Sequence, residues 1–509
     1  MAFSKRTLLL VLILLLHVAV WLLMKPVWPF SDDYCYAYHA DQLNRHGLVF
    51  SGNEFQERIG VYLPVSFFFR CFGVNPYSVA LWPLLVSLLS IALCYLFVRK
   101  IADEVSALIT AFLVSINLLQ ITYSVALFPD IFIALYSGAA VFILYHGREY
   151  SGRRIFPFLF VLMLYAGIMT KETILLIVPF IILVLVSDLR AKRHLRFWKR
   201  SGLFFLLFAV VFFLQYYLLT GNAFHRISFI ANARLTDRKS IDFMLSAYEH
   251  NLLKLISGEL PLIFILLFSI STILTIRKYD LSEAKVFISV YTMAVILTII
   301  AGYFFYKHGE LFLMDRVWML LIAPMTVLSA FFIRNVHQHF CVVLIVLLCL
   351  LVWYGFGISL QRGTLFSAFL ILTLLTYYFS RKNQRWRYLL LLPFIAMSAY
   401  FLYNNSNYRA GSVQSGNLVK EQIEKLNEGE TKIVLTGKDL AENHIIYNDF
   451  NEYPNLQFRS FDSYPQSANQ LNLFCIVNEE EEDTPAFISN ESWETIFREV
   501  ALSVYRKKP

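Results

Sequence analysis

Charge is scarce in this sequence: Asp, Glu, Lys and Arg make up 16% of its 509 residues, against 58% hydrophobic ones. Soluble globular proteins carry about 25% charged residues, so water is not the main solvent of this chain. Cysteine is scarce as well. Of the six cysteines, Cys71, Cys94, Cys341 and Cys349 lie in or beside apolar segments. No two share a CxxC or zinc-ligand spacing, which excludes a disulfide framework and a cysteine metal site. There is no glycine-rich loop of the Walker type and no Asp-x-Asp pair, so the usual nucleotide-holding signatures are missing. The histidines His39, His46, His225, His250 and His308 have no tight His-x-x-x-His spacing. No cofactor is predicted, and ligand spacing does not support a divalent metal.

What the chain does have is apolar runs near the ~20 residues needed to cross a bilayer. They fall near 7–24, 77–98, 104–123, 130–146, 155–169, 173–187, 201–219, 260–276, 285–305, 317–333, 340–359, 364–380 and 388–403. The first follows Lys5 and Arg6 and lacks a small-residue cleavage site before Trp28-Pro29-Phe30, so it reads as a retained anchor. The net charge of +8 sits in short clusters between runs. These are Arg99-Lys100, Arg148 with Arg153-Arg154, the stretch Arg190 to Arg200, Arg277-Lys278, Arg334, and Arg381-Lys382 with Arg385 and Arg387. With the N-terminus in the cytoplasm, alternation puts each cluster in a cytoplasmic loop, as the positive-inside bias requires. Such charge is topological; the expected partners include membrane lipids and no nucleic acid.

The expected fold class is an α-helical polytopic membrane protein with about 13 transmembrane helices, plus a small C-terminal α/β extracytoplasmic domain. An odd number of spans puts the C-terminus outside, in the periplasm if the cell is bacterial. Three outer stretches, 25–76, 220–259 and 404–509, are too long for simple turns. In the first, Val61 to Phe72 is apolar but only about half a membrane thickness as a helix, so it is read as interfacial or dipping in. In the last, Thr431 to Gly437, Asn455 to Phe461 and Asn472 to Asn478 read as strands and Asp439 to Phe450 as a helix. The acidic run Glu479 to Asp483 reads as a solvated loop. The domains expected are 1–403, a membrane catalytic unit with outer loops near 25–76 and 220–259, and 404–509.

An enzyme acting on a lipid headgroup needs polar groups at the water boundary. The topology puts Asp32 and Asp33, Asp130 after Phe128-Pro129, Lys171-Glu172, and Asp315-Arg316 on the outer side. Taken singly, each has an ordinary reading as a helix cap or solvated turn. Their common side points to a site. The arginines and lysine at 226, 234, 238 and 239 offer a clamp on headgroup or acceptor, or, as the more ordinary reading, a charged loop facing anionic headgroups; most of the aromatics read as interfacial belt or core.

The string Asp32-Asp33-Tyr34-Cys35-Tyr36, followed by Ala40, Leu43 and Gly47, resembles the first outer loop of the C-type glycosyltransferases. Within that superfamily it is similar to the branch of protein O-mannosyltransferases and lipid A aminoarabinose transferases. Arg58-Ile-Gly-Val-Tyr62-Leu-Pro64, Phe72-Gly73, Asp130 after a proline, Lys171, and Arg316 before Pro324 resemble further recurrent positions, over residues 1–330 in layout. The resemblance implies transfer of a sugar, hexosyl or pentosyl, from a polyprenyl-phosphate donor to an acceptor hydroxyl, with inversion at the anomeric carbon. The acceptor would be a glycan, a lipid or a protein. In such a transfer a carboxylate accepts the hydroxyl proton and cations stabilise the departing phosphate. Asp32 is expected as base, with Asp33 as orienting partner or alternative base. Lys171 and Arg316 are expected on the phosphate, and Asp130, Glu172, Arg58, Tyr36 and Tyr62 in support. The competing class is a transporter or flippase of a lipid-linked glycan, which places ionisable groups near the midplane with paired repeats.

Overall fold

The structure, a computed structural model, describes residues 5–24, 26, 32–48, 54–150, 152–228, 283–305, 315–334, 388, 391–392, 395–396, 398–399, 421–427, 432–436, 454–460, 473–478, 493–499 and 502–507. Six described helices are long and apolar enough to cross a membrane, or seven if one bent pair counts as a span. The chain is therefore polytopic. The runs read at 260–276, 340–359 and 364–380, and most of 388–403, lie outside the described residues.

The helices are α1 (Lys5–Leu23), α2 (Asp32–His46), α3 (Glu54–Glu57), α4 (Ile59–Phe72), α5 (Pro76–Ile101), α6 (Glu104–Ser115), α7 (Leu118–Ser124), α8 (Pro129–Glu149), α9 (Ile155–Thr170), α10 (Val178–Arg190), α11 (Leu195–Thr220), α12 (Glu283–Phe305) and α13 (Asp315–Arg334). Local chemistry sets many of their ends. Asn75 caps α5, its side chain accepting from the Ser78 amide at 3.0 Å ahead of Pro76, and Arg99 and Lys100 close the last turn. The first turn of α8 carries Pro129 and Asp130 and its last turn Arg148, an acid and a base at the ends of the dipole that favour them. Gly221, at φ 72°, ends α11 in the left-handed conformation.

One expected continuous span is broken. The run at 104–123 is two helices, α6 and α7, bent by 57°. Asn117 caps α7 by accepting from the Gln120 amide at 3.1 Å. The carbonyls freed at the break find side-chain partners, as a bilayer interior demands. His17 Nδ1 lies 2.8 Å from the Ser115 carbonyl, and Ser398 donates to that of Ile116 at 2.6 Å. Ser87 links His17 Nε2 to the Gln120 amide group, at 2.7 Å on each side. Composition shows only an apolar run here; the break needs partners from α1, α5 and residue 398.

Helix α8 packs against α5, α9 and α13, and α4 runs between α2 and α5 and touches α9. Much of α11 is exposed hydrophobe, including Leu203, Phe205, Leu206 and Leu218, as a lipid-facing helix requires. The described C-terminal strands form one sheet in the order β2-β1-β3-β5-β4. Here β1 is Lys432–Thr436, β2 Leu456–Ser460, β3 Leu473–Asn478, β4 Trp493–Glu499 and β5 Leu502–Lys507. β1 pairs parallel with β2 and β3, and β5 pairs antiparallel with β3 and β4. The strands expected at 431–437, 455–461 and 472–478 are β1, β2 and β3, whose apolar centres Val434, Leu435, Leu456, Phe474 and Cys475 are all buried. β4 and β5 come in addition; Glu494, Arg498 and Arg506 dilute their alternation in the sequence. The helix read at 439–450 lies outside the described residues.

Candidate functional site

Two ion pairs mark opposite ends of α8. Near its C-terminus, Arg148 Nη2 donates to Asp188 of α10 at 2.7 Å, and Trp198 of α11 donates to the other carboxylate oxygen at 2.7 Å. His194 Nδ1 lies 2.6 Å from the Arg148 carbonyl. This is the end that the basic loops assign to the cytoplasm. Near the N-terminus, Lys171 Nζ donates to both oxygens of Asp130, at 2.8 and 3.0 Å. Asp130 and Arg148 are eighteen residues apart on one helix, about 27 Å, close to the ~30 Å thickness of the hydrocarbon core. Asp130 and Lys171 therefore sit at the end of the bundle opposite the basic one.

Lys171 is held by backbone geometry as well as by charge. α9 stops at Thr170, Lys171 is extended (φ −164°, ψ 141°), and a 3-10 helix, Glu172–Ile177, follows directly. Its amide still closes α9 by donating to the Gly167 carbonyl at 2.8 Å. The ammonium is buried with Asp130, and its pKa is lowered. Burial is the main cause; Asp130 opposes it, while the charges of Arg58 and Arg316 push further down.

Arg58, in the bend between α3 and α4, is buried and donates to the Tyr36 hydroxyl at 2.5 Å, tying α2 to α4. Its other terminal nitrogen is 3.9 Å from Glu172 Oε1. Gly60 makes this approach possible. A Cβ there would lie 2.4 Å from the Thr170 hydroxyl and 3.2 Å from backbone atoms of Met169 and Thr170. Tyr62, one turn further on, donates to the Gln56 carbonyl at 2.9 Å. Asp33, in the first turn of α2, is buried. Asp32 starts the same helix, and its side chain lies outside the described residues. Arg316 stands in the first turn of α13 and is half-buried.

Arg226 is a correction. Read as part of a loop facing lipid headgroups, it is 3% exposed. It donates to the Glu57 carbonyl and, at 3.2 Å, to the Tyr216 hydroxyl, and it lies 4.0 Å from Glu172 Oε2. The Glu57 carboxylate meets His225 Nε2 at 2.8 Å. Neither Glu57 nor Tyr216 was singled out from the sequence. A buried position just past a helix-ending glycine has no periodicity to reveal it. Arg234, Arg238 and Lys239 lie outside the described residues. Among the described residues, no three His, Cys, Asp or Glu side chains gather as a group that could hold a metal ion.

Chemically, the charges of Arg58 and Arg316 act on Lys171, making a cationic cluster, and carboxylates contact Lys171 and Arg58. The chain is a polytopic helical bundle with this cluster at one end. Residues 59–217 match the family model described as dolichyl-phosphate-mannose-protein mannosyltransferase. Among solved structures, the chain is similar to ArnT from Cupriavidus metallidurans in the apo state, with a TM-score of 0.64 and 14% identity over 99% of this chain and 100% of that one. It is also similar to the same protein bound to undecaprenyl phosphate, with a TM-score of 0.62 and 12% identity over 98% and 99%. No curated protein matches by sequence. The chain has the fold of the C-type glycosyltransferase superfamily and resembles its mannosyltransferase and ArnT branch.

Proposed function

We propose that this protein is a membrane glycosyltransferase that moves a sugar from a polyprenyl-phosphate carrier to an acceptor hydroxyl at the extracytoplasmic face. The observation that carries this reading is the set of mutually repelling cations at one end of the bundle. Arg58 and Arg316 both disfavour the charge on Lys171, which burial already disfavours. An anion bound there relieves the repulsion, and phosphate leaving a sugar gains charge as it departs. The similar ArnT structure contains undecaprenyl phosphate, which supports a lipid phosphate as that anion.

In the reaction the acceptor hydroxyl attacks the anomeric carbon. The bond from that carbon to the phosphate oxygen breaks, and its electron pair stays on the phosphate. The hydroxyl proton passes to Asp32, with Asp33 orienting it or taking its place. Lys171 and Arg316 hold the phosphate, the arginine suited to bidentate contacts. Asp130 positions Lys171, while Glu172 and Tyr36 position Arg58. The C-terminal unit, 404–509, assists acceptor recognition, and the N-terminus faces the cytoplasm.

The test gives purified protein a radiolabelled polyprenyl-phosphate sugar together with membrane extract as the source of acceptor. Label in a new glycan, lipid or protein product supports the reading. Translocation of the intact lipid-linked sugar in vesicles, with no transfer, would show a transporter instead.

A further inference from the structure

Between α2 and α4, apart from the cation cluster, lies a cavity of about 250 Å³. Tyr38, His39, Gln42 and His46 line it along one stripe of α2, with Gln56 and Tyr62 from α3 and α4. We propose that this cavity is a carbohydrate subsite, holding a neutral sugar ring of the acceptor beside the point of transfer. Assigning its occupant to the acceptor rests on the glycosyl-transfer reading above.

Three features specify the ligand. The first is charge: no Asp, Glu, Lys or Arg lines the cavity. Burial lowers His39 to about 4, so its imidazole is neutral at physiological pH. A phosphate or carboxylate would be desolvated here without a counter-charge. The second is hydrogen bonding. Two amide side chains and two imidazoles offer donors and acceptors together, which matches hydroxyl groups that both give and take hydrogen bonds. The third is shape. The His39 ring packs between Tyr38 and Tyr62, with centroids 5.5 and 6.0 Å away, and all three rings border the cavity, Tyr38 being the half-buried one, so one wall is aromatic, as the apolar face of a sugar favours. The volume falls below the ~300 Å³ lower bound of drug-sized pockets, which suits a single ring and not a peptide.

Position supplies the link to the reaction. Asp32 and His39 are seven residues apart on α2, two helical turns, so their backbone positions share one stripe about 10 Å apart along the axis. A hydroxyl taken up at the start of α2 leaves the cavity about two helical turns away, within reach of the next sugar of an acceptor. The acceptor class this favours is a glycan or glycolipid.

The experiment uses full-length purified protein and a panel of neutral probes: the methyl glycosides of mannose, glucose, galactose and N-acetylglucosamine. Saturation-transfer NMR reads ring contact, and the thermal shift produced by undecaprenyl phosphate is read on the same samples. The expected result is saturation of at least one glycoside, weakened about tenfold in Gln42→Leu, the loss expected for a hydrogen-bonded group. The lipid-phosphate shift should stay unchanged. If Gln42→Leu does not fold, His46→Leu at the exposed mouth carries the same expectation. No glycoside signal in the wild type, or equal signals in wild type and variants, overturns the subsite. Glycoside binding without a lipid-phosphate shift would leave the cavity standing and defeat the donor reading, whereas the reverse would defeat the cavity alone.

Discussion

Lys171 and Asp130, 41 residues apart in sequence, meet in a two-pronged contact of 2.8 and 3.0 Å at the end of the bundle away from the basic loops. The carboxylate compensates a buried ammonium and fixes where its remaining proton can point. Removing either partner leaves a charge buried alone, at a cost of about 3–5 kcal/mol. Lys171→Met and Asp130→Leu should therefore each lower thermal stability. The double variant should regain most of it, because both charges are gone, yet transfer should stay lost. Melting curves and transfer rates on the same preparations check this. Transfer restored in the double variant would show that the pair only holds the fold together.

Lys171 also predicts opposite trends in alkaline solution. Its folded pKa lies below the ordinary 10.5, chiefly through burial. Between those two values the folded protein has shed a proton that the unfolded chain keeps, so stability rises with pH. Over the same window lipid-phosphate binding should fall, because the site loses a cation. Measured melting temperature and undecaprenyl phosphate affinity should diverge as pH rises, and the divergence should vanish in Lys171→Met.

At the start of α2, Asp32→Asn should cost about 10²–10⁴-fold in rate, the loss typical of a missing general base, while leaving donor affinity near wild type. Asp33→Asn should have the smaller effect. Single-turnover measurement with pre-bound donor separates chemistry from binding. A larger loss from Asp33→Asn would exchange the two roles, and near-normal rates in both would remove the acidic pair from the reaction.

Gly60 lets α4 approach the end of α9, which brings Arg58 to Glu172. Gly60→Ala should destabilise by about 1–3 kcal/mol through overpacking and slow transfer by moving Arg58. Gly202, within α11, has nothing within 4 Å of an added Cβ. Its change to Ala should be neutral or stabilising by up to ~1 kcal/mol from helix propensity. Equal melting temperatures for the two variants would mean that the α4–α9 contact yields without strain.

On the acid side, His39 is the residue to follow. Its pKa is lowered from 6.5 to about 4 by burial. Its share of stability is present above pH 6.5 and is lost as pH falls toward about 4, where burial must accept a charge. His39→Phe should flatten the decline in melting temperature across that window. An unchanged profile would show that the ring takes up a proton without cost.

The sequence by itself determined the solvent and pointed to the class. Hydropathy fixed most spans through the described region, with one end legible at Pro129-Asp130, because caps and dipoles act within a turn of the residues that carry them. Alternation of basic loops placed Asp130 and Lys171 at one end, since each loop's charge is a local property. The apolar centres of β1 to β3 were likewise readable.

Only the tertiary structure decided which residues meet. The contacts of Lys171 with Asp130, of Arg58 with Tyr36 and of Arg226 with Tyr216 depend on the rotation and depth of whole helices. Close approaches such as that at Gly60 set these, and no local pattern records them. The break between α6 and α7 was hidden for the same reason. A bend in a membrane helix survives only where other elements satisfy its freed carbonyls, and here the partners, His17 and Ser398, lie about a hundred and nearly three hundred residues away in the chain.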